Sequence, residues 1–177
     1  MILGKIDEMV KLGGTGILLQ GGHHPDLPLK WYTDLLRAIK NKYPQVWIHG
    51  FSPSEIHHFS QTFKMPVKAV LEELMAAGLG SLPGGGAEIL DDEIRKRISP
   101  LKASTDEWMG IMRVAHGLGL KTSMTMMYGH IETAQHIINH LQRTRDLQDE
   151  TKGFQAFAAW NYQHECGTHL KDNGATP

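Results

Sequence analysis

Amphipathic helical stretches alternate with short apolar runs along the chain, and this alternation repeats five times. A polar or glycine-rich turn follows each apolar run, in the phrases TGILLQGGHHP, QVWIHGFSP, GLGSLPGGG, LKTSMTMMYGH and GFQAFAAWNYQ. The apolar runs begin near residues 15, 46, 79, 121 and 154, about one every 30 to 40 residues, which is typical of βαβ repeats. The pattern therefore predicts an α/β fold with parallel strands.

Five units are fewer than a closed (β/α)8 barrel requires, since such a barrel needs eight strands in roughly 250 residues. We therefore expect an incomplete (β/α) TIM-type barrel of about five parallel strands with covering helices, the middle of something larger. We expect the barrel domain at residues 1–170, and a disordered tail at 171–177 because that segment is polar and has no pattern. A doubly wound, flavodoxin-like sheet is the alternative, with strand order 2-1-3-4-5 instead of 1-2-3-4-5.

Capping residues predict where several helices begin. Ser52 followed by Pro53 predicts a short helix, and Ser104 with Glu107 forms a capping-box pattern. A long helix is expected from His130 to about residue 150. The helix over 29–43 is expected to turn Trp31 inward.

Composition limits the class of protein. The chain has 18 Lys and Arg against 19 Asp and Glu, so no strong field attracts nucleic acid or an anionic membrane. No apolar run approaches the roughly 20 residues of a membrane span, and no signal peptide follows Met1. The single cysteine, Cys166, excludes a disulfide framework and an all-cysteine metal site within one copy. We expect a cytoplasmic protein with a small-molecule substrate, and neither a nucleic-acid nor a membrane partner.

Ligands of parallel α/β folds bind at the carboxyl ends of the strands, where this chain places polar and glycine-rich turns. Gly21-Gly22 would let a ligand reach the backbone, although the spacing alone favours a tight strand-to-helix turn as the explanation of the pair. The triple glycine 84–86 is compatible with a phosphate cradle, but it is not a P-loop because no Lys-Ser or Lys-Thr follows.

Of the eleven histidines, His49 and His130 end or follow strands at this edge and are the best candidates for function. His136 and His140 have the i, i+4 spacing of a zinc pair but lack the glutamate of a zinc-protease motif. We expect His140 to face solvent, and no metal site is predicted.

Taken together, the phrases LLQGGHHPDLPLKWY, HGFSPSEI, GLGSLPGGGAEIL, MTMMYGHIET and RDLQDETKGFQAF resemble the radical S-adenosylmethionine enzymes of the dehypoxanthine futalosine cyclase type, over residues 2–163. The F0-synthase subunit, which joins tyrosine to a ribityl-diaminouracil, shares much of this pattern. The triple glycine before Glu88, Glu132-Thr133, and the ending Trp160 to Gln163 are more similar to the cyclase.

The resemblance implies S-adenosylmethionine and a [4Fe–4S] cluster as cofactors in the full-length family. The cluster is held there by a CxxxCxxC loop, which residues 1–177 do not contain. An electron from the cluster splits the cofactor to a 5′-deoxyadenosyl radical, which takes a ribose hydrogen from dehypoxanthine futalosine before the ring closes, in menaquinone biosynthesis. The resemblance thus implies a fragment that is inactive alone, with an unidentified reductase as partner of the whole enzyme.

The matched motifs also imply roles for residues of this chain. Cofactor contacts are expected at Gly21 and Gly22 (methionine moiety), Ser81 and Glu88 (ribose or substrate), and Gly129 and Glu132 (adenine). His49, Ser52 and Tyr128 are expected to face the substrate cavity. Capping or turn formation is the alternative explanation for each of them. A non-catalytic five-stranded α/β binding module is the alternative for the chain as a whole.

Overall fold

The computed structural model describes residues 1–163. The helices are α1 (Ile2–Lys11), α2 (Leu29–Lys42), α3 (Pro53–Phe63), α4 (Val67–Ala76), α5 (Asp92–Ile98), α6 (Thr105–Gly117) and α7 (Ala134–Thr151). The strands are β1 (Gly16–Leu19), β2 (Trp47–Gly50), β3 (Ser81–Leu82), β4 (Lys121–Tyr128) and β5 (Phe154–Asn161). The predicted tail 171–177, the end of the predicted domain and Cys166 lie outside the described residues.

The strands form one parallel sheet in the order β1-β2-β3-β4-β5. Sequential order confirms the incomplete barrel and contradicts the doubly wound alternative, which requires β1 inside the sheet. The register places His49 beside Leu18 on one side and Ser81 on the other. Polar residues of neighbouring strands are therefore brought side by side.

One face of the sheet is covered by helices. Ile48, Leu82 and Met124 point to this face and are fully buried in the main hydrophobic core. Trp47 and His49 alternate with Ile48 and so lie on the opposite face, where Trp47 is 54% exposed. This opposite face corresponds to the interior of a barrel.

The predicted caps are confirmed. Ser52 is the N-cap of α3 with Pro53 at its first position, and Ser104 and Glu107 form both bonds of a capping box at α6. The long helix begins at Ala134, later than expected, because residues 129–133 form the turn that follows β4.

The prediction that Trp31 turns inward was wrong, since the side chain is 42% exposed. The buried face of α2 is built instead on Tyr32, Leu36 and Ile39, which recur at i, i+4 and i+7. That face leaves Trp31 to one side of the helix.

The two outer strands, β1 and β5, each have one neighbouring strand within the described residues. Leu18 on β1 is 65% exposed, and β5 is exposed along nearly its whole length. Within residues 1–163, no helix is long and apolar enough to cross a membrane.

Candidate functional site

The turn after β1 exposes its backbone at the carboxyl end of the sheet. Gly22 has a φ of +72°, in the left-handed region that favours glycine. A Cβ atom added to Gly21 or Gly22 would meet no heavy atom within 4 Å. A ligand therefore has room to approach the main chain of this turn.

Glu55, on the first turn of α3, holds the Gly21 backbone. Its side chain is buried, with the residue 4% exposed. Oε1 accepts the Gly21 N–H at 3.0 Å, and Oε2 accepts the Ser52 hydroxyl at 2.9 Å. Burial raises the pKa of the Glu55 carboxyl, and the hydrogen bonds from Gly21 and Ser52 only partly oppose that shift.

Ser52, predicted to face substrate, is buried beside Glu55. Its hydroxyl accepts the Glu55 backbone N–H at 3.3 Å while donating to the Glu55 carboxylate. The structure therefore places Ser52 next to the Gly21-Gly22 turn with its hydroxyl engaged in the start of α3.

Protein atoms surround the triple glycine after β3. A Cβ on Gly84 would lie 2.6 Å from the Ser123 carbonyl oxygen and 2.9 Å from the Thr125 nitrogen. A Cβ on Gly86, whose φ is +80°, would lie 2.5 Å from Ser54 Oγ. Close packing against β4 and α3 thus explains these glycines, and the possible phosphate cradle finds no support.

Arg95, a residue that the sequence did not indicate, supports the same loop from α5. It is 3% exposed, and its guanidinium donates to the carbonyls of Gly86 at 3.0 Å, Ala87 at 2.5 Å and Ala103. Burial lowers the pKa of Arg95, opposed by Asp92 and other carboxylates.

A polar chain runs across the barrel-interior face. The Trp47 indole N–H donates to Ser81 Oγ at 2.8 Å, and Ser81 Oγ lies 2.6 Å from His49 Nδ1. The indole can only donate, so Ser81 Oγ accepts from Trp47. The Ser81 hydroxyl proton is then best donated to His49 Nδ1. His49 Nε2 then carries the ring proton and faces Ser123 Oγ at 3.4 Å.

His49 is half-buried, and burial lowers the pKa of its imidazole. A neutral ring is therefore favoured at pH 7. The structure brings the predicted site residues His49 and Ser81 into direct contact, through a side-chain pairing that the sequence did not reveal.

Glu88 lies where β3 and β4 end. It adopts a φ of +45°, and its backbone oxygen accepts the Met127 N–H at 2.9 Å. Its carboxylate pairs with Lys102 Nζ at 2.7 Å. The predicted Glu88 side chain is thus near the end of β4, with a cationic partner from the protein.

The turn after β4 is organised by Glu132. Its carboxylate accepts the backbone N–H groups of Gly129 and of His130, the latter at 2.9 Å. Burial raises the pKa of the Glu132 carboxyl, but these amide bonds outweigh burial and lower it overall. Gly129, with a φ of +86°, lets the chain fold back onto this carboxylate.

His130 is buried in the same turn. Its Nε2 bonds the Met127 carbonyl at 3.1 Å, and its Nδ1 accepts the Ile131 N–H at 2.8 Å. Burial lowers the pKa of His130, opposed by the Glu132 carboxylate, which lies 3.0 Å from Nδ1. Tyr128, at the end of β4, is 37% exposed and remains accessible from solvent.

The expectation that His140 faces solvent was wrong. His140 is 0% exposed, and its Nδ1 accepts the Leu90 N–H at 3.1 Å. Burial lowers the pKa of His140 to about 4. The side of α7 that carries His140 packs over the loop that leads into α5, which buries the ring.

One group of potential metal ligands occurs among the described residues, formed by Asp91, Glu93 and His136 with ligand atoms within 4.8 Å of one another. Asp91 Oδ1 accepts the Glu93 N–H at 3.1 Å, and His136 Nδ1 accepts the Thr133 N–H at 2.9 Å. The bond at Nδ1 leaves the proton of a neutral ring on Nε2, which opposes metal ligation. The side chains of Asp91 and His136 thus serve in the caps of α5 and α7.

Comparison with known proteins gives a coherent family. The sequence model described as "Radical SAM superfamily" matches residues 1–144. The chain is 46% identical over 177 residues to cyclic dehypoxanthine futalosine synthase of Halalkalibacterium halodurans, covering 100% of this chain and 48% of the relative. It is 43% identical to aminodeoxyfutalosine synthase of Thermus thermophilus, covering 96% of this chain and 45% of the relative.

A third relative is the 5-amino-6-(D-ribitylamino)uracil–L-tyrosine 4-hydroxyphenyl transferase of Methanothermobacter thermautotrophicus, 40% identical over 96% of this chain and 46% of the relative. The crystal structure of methylornithine synthase superposes with a TM-score of 0.66 at 16% identity, over 90% of this chain and 44% of that one. This likeness supports the fold alone. The chain spans about half the length of the curated relatives it matches.

Proposed function

The chain belongs to the radical SAM superfamily, and from this premise we propose that it is part of an enzyme that converts dehypoxanthine futalosine to its cyclic form in menaquinone biosynthesis. The observation that carries the proposal is the 46% identity to cyclic dehypoxanthine futalosine synthase over all 177 residues. The proposal concerns the complete enzyme, in the cytoplasm, with this chain supplying residues 1–170 of its barrel.

S-adenosylmethionine suits the turn after β1. The main chain at Gly21 and Gly22 is open, so the methionine end of the cofactor can approach it without meeting a side chain. We assign Gly129 and Glu132 to the adenine side, and Ser81 and Glu88 to the ribose or substrate side. When bound and reduced, this cofactor supplies the radical that abstracts hydrogen from the substrate.

The [4Fe–4S] cluster does not fit the residues of this chain. Such a cluster is held by several cysteine thiolates, and residues 1–177 contain one cysteine. We therefore propose that the chain alone is inactive.

The substrate is proposed to contact the barrel-interior face. His49 carries its ring proton on Nε2 at this face, because Nδ1 accepts from Ser81, and a substrate acceptor would compete for that proton with Ser123 Oγ at 3.4 Å. Tyr128 contributes an accessible phenol at the end of β4. Ser52 contributes by shaping the adjacent turn, since its hydroxyl is engaged with Glu55.

A second candidate activity is the joining of tyrosine to a ribityl-diaminouracil, as named for the 40% identical archaeal transferase. A third candidate is the activity of aminodeoxyfutalosine synthase, the name of the 43% identical relative. The triple glycine before Glu88 and the Glu132-Thr133 pair favour the cyclase over the transferase, as the sequence resemblance indicates.

The test begins with the genomic DNA that flanks this reading frame, where an in-frame CxxxCxxC loop is expected upstream. The polypeptide so defined would be reconstituted with iron and sulfide and incubated anaerobically with S-adenosylmethionine and dithionite. We expect cyclic product from dehypoxanthine futalosine by mass spectrometry, and none from tyrosine plus the ribityl-diaminouracil.

The 177-residue chain is the matched control, and it should give no stoichiometric [4Fe–4S] signal by electron paramagnetic resonance because it has one cysteine. Product from the tyrosine pair instead would replace the cyclase with the transferase activity. Turnover of neither substrate set would refute both.

A further inference from the structure

The sequence contains the pattern Ser-x-x-Glu at the start of two helices, α3 (Ser52, Glu55) and α6 (Ser104, Glu107). In both helices the serine hydroxyl accepts the backbone N–H of the glutamate at 3.3 Å. The two glutamates therefore occupy equivalent positions in two equivalent caps.

The two carboxylates nevertheless make different bonds. Glu107 Oε2 accepts the Ser104 backbone N–H at 2.8 Å, which closes an ordinary capping box on the surface. Glu55 Oε1 instead accepts the N–H of Gly21, 34 residues earlier in the chain, at 3.0 Å. The cap of α3 does not require this long-range bond.

The surroundings of Glu55 join three loops at the carboxyl end of the sheet. Gln20 Nε2 donates to the Phe51 carbonyl at 3.3 Å, which ties the loop after β1 to the loop after β2. A Cβ on Gly85 would lie 2.5 Å from Gln20 Nε2 and 3.3 Å from Ser52 Cβ, so the loop after β3 rests on the same spot. Glu55 lies beneath this junction.

Burial of an ionisable carboxyl costs free energy unless hydrogen bonds compensate for the lost water. For Glu55 the compensating donors are the Gly21 amide and the Ser52 hydroxyl. A hydrogen bond that a backbone amide donates to a charged carboxylate is stronger than one between neutral groups. It therefore fixes the orientation of the peptide that precedes Gly21 and limits movement of the Gly21-Gly22 turn.

We propose that Glu55 is a positioning residue, whose buried carboxylate holds the Gly21-Gly22 turn in the conformation that receives the methionine end of S-adenosylmethionine. The role toward the cofactor rests on the proposed function, whereas the hold on the turn stands on the geometry alone. Glu55 acts through the Gly21 amide and does not itself contact the reacting atoms.

The test compares Glu55→Gln and Glu55→Ala with the matched control Glu107→Ala in the 177-residue chain. Amide hydrogen exchange at Gly21 and Gly22, read by mass spectrometry of short peptides, measures the hold on the turn. Equilibrium dialysis with radiolabelled S-adenosylmethionine measures binding, on the longer cluster-reconstituted polypeptide defined above with the same substitutions. Glu55→Gln keeps the size of the side chain and one acceptor oxygen, so we expect it to fold. It therefore provides the test even if Glu55→Ala does not fold.

We expect exchange at Gly21 to accelerate about tenfold or more in Glu55→Gln, and S-adenosylmethionine to bind about ten- to a hundredfold more weakly, as loss of one charge-assisted hydrogen bond predicts. Glu107→Ala should change neither quantity. A second tie, the stacking of His23 on His58 with ring centroids 4.8 Å apart, keeps the rest of the loop in place and confines the effect to the glycine pair.

Unchanged exchange at Gly21 in both Glu55 variants would refute the positioning role, whatever happens to binding. Equal acceleration in Glu107→Ala would also refute it, because the effect would then follow from loss of any cap. Absence of S-adenosylmethionine binding by the cluster-reconstituted parent polypeptide, or equal binding by its Glu55→Gln variant, would refute the cofactor role; exchange altered as expected would still establish the hold of Glu55 on the turn.

Discussion

Replacement of Gly84 by alanine should destabilise the fold strongly, because the new methyl group has no space. The added Cβ would lie 2.6 Å from the Ser123 carbonyl oxygen and 2.9 Å from the Thr125 nitrogen, both of them backbone atoms of β4. Gly84 does not have a positive φ, so alanine is acceptable to the local backbone. The cost therefore comes from the clash between the loop and β4.

The magnitude follows from what the clash disrupts. Forcing a methyl group into a packed site costs about 1–3 kcal/mol. Moving the loop away from β4 also weakens the Gly84 N–H bond to Ser123 Oγ (3.1 Å) and the Thr125 hydroxyl bond to the Gly84 carbonyl (2.5 Å). Each bond contributes about 0.5–1.5 kcal/mol, so we expect a total loss of about 2–6 kcal/mol.

Urea unfolding followed by tryptophan fluorescence measures this loss, and thermal unfolding should show a Tm lower by about 4–24 °C, at roughly 2–4 °C per kcal/mol for a chain of this size. Gly21→Ala is the matched control, since a Cβ there meets no atom within 4 Å and φ is again not positive. Its effect should stay within about 0.5 kcal/mol. Equal stability of Gly84→Ala and Gly21→Ala would refute the packing explanation of the triple glycine.

Two further predictions concern pH and association. The pKa of His140 falls to about 4 in the folded chain from 6.5, so the unfolded chain takes up this proton first as the pH falls. His140 alone should therefore lower the stability by on the order of 3 kcal/mol between pH 6.5 and 4, in addition to the contribution of His116, whose pKa burial also lowers to about 4. His140→Gln, which can still accept the Leu90 N–H bond, should flatten this part of the urea-unfolding profile, and an unchanged slope would contradict the assignment. The exposed outer strands β1 and β5 should cause self-association of the 177-residue chain, which light scattering after size exclusion would detect; a monodisperse monomer at all concentrations would contradict it.

Local sequence signals predicted the elements of this fold well. Five apolar runs separated by helical stretches predicted five parallel strands, which the structure has in sequential order. The caps at Ser52 and Ser104 were equally readable, because a cap depends on residues within one turn of helix. The resemblance of the strand-end phrases to radical S-adenosylmethionine enzymes agreed with the match of residues 1–144 to that superfamily.

The interior of the site depended on contacts between distant parts of the chain. Ser52-x-x-Glu55 looks like a cap in the sequence, and only the fold reveals that its carboxylate bonds Gly21. The glycines at 84–86 looked like a ligand cradle, yet the approach of β4 and α3 accounts for two of them. His140 looked solvated because its helical neighbours are polar, but α7 turns that residue toward the loop before α5 and buries it.

The elements could be predicted from the sequence and the contacts within the site could not, for a physical reason. Hydrophobic periodicity and capping reflect the interactions of residues within a few positions of one another, so the sequence by itself determined the order, type and approximate ends of the helices and strands. The partners of Glu55, Gly84 and His49 are set by which loops meet when parallel strands align at one edge, and by the register that puts His49 beside Ser81. Those meetings join residues tens of positions apart, and only the tertiary structure decided them.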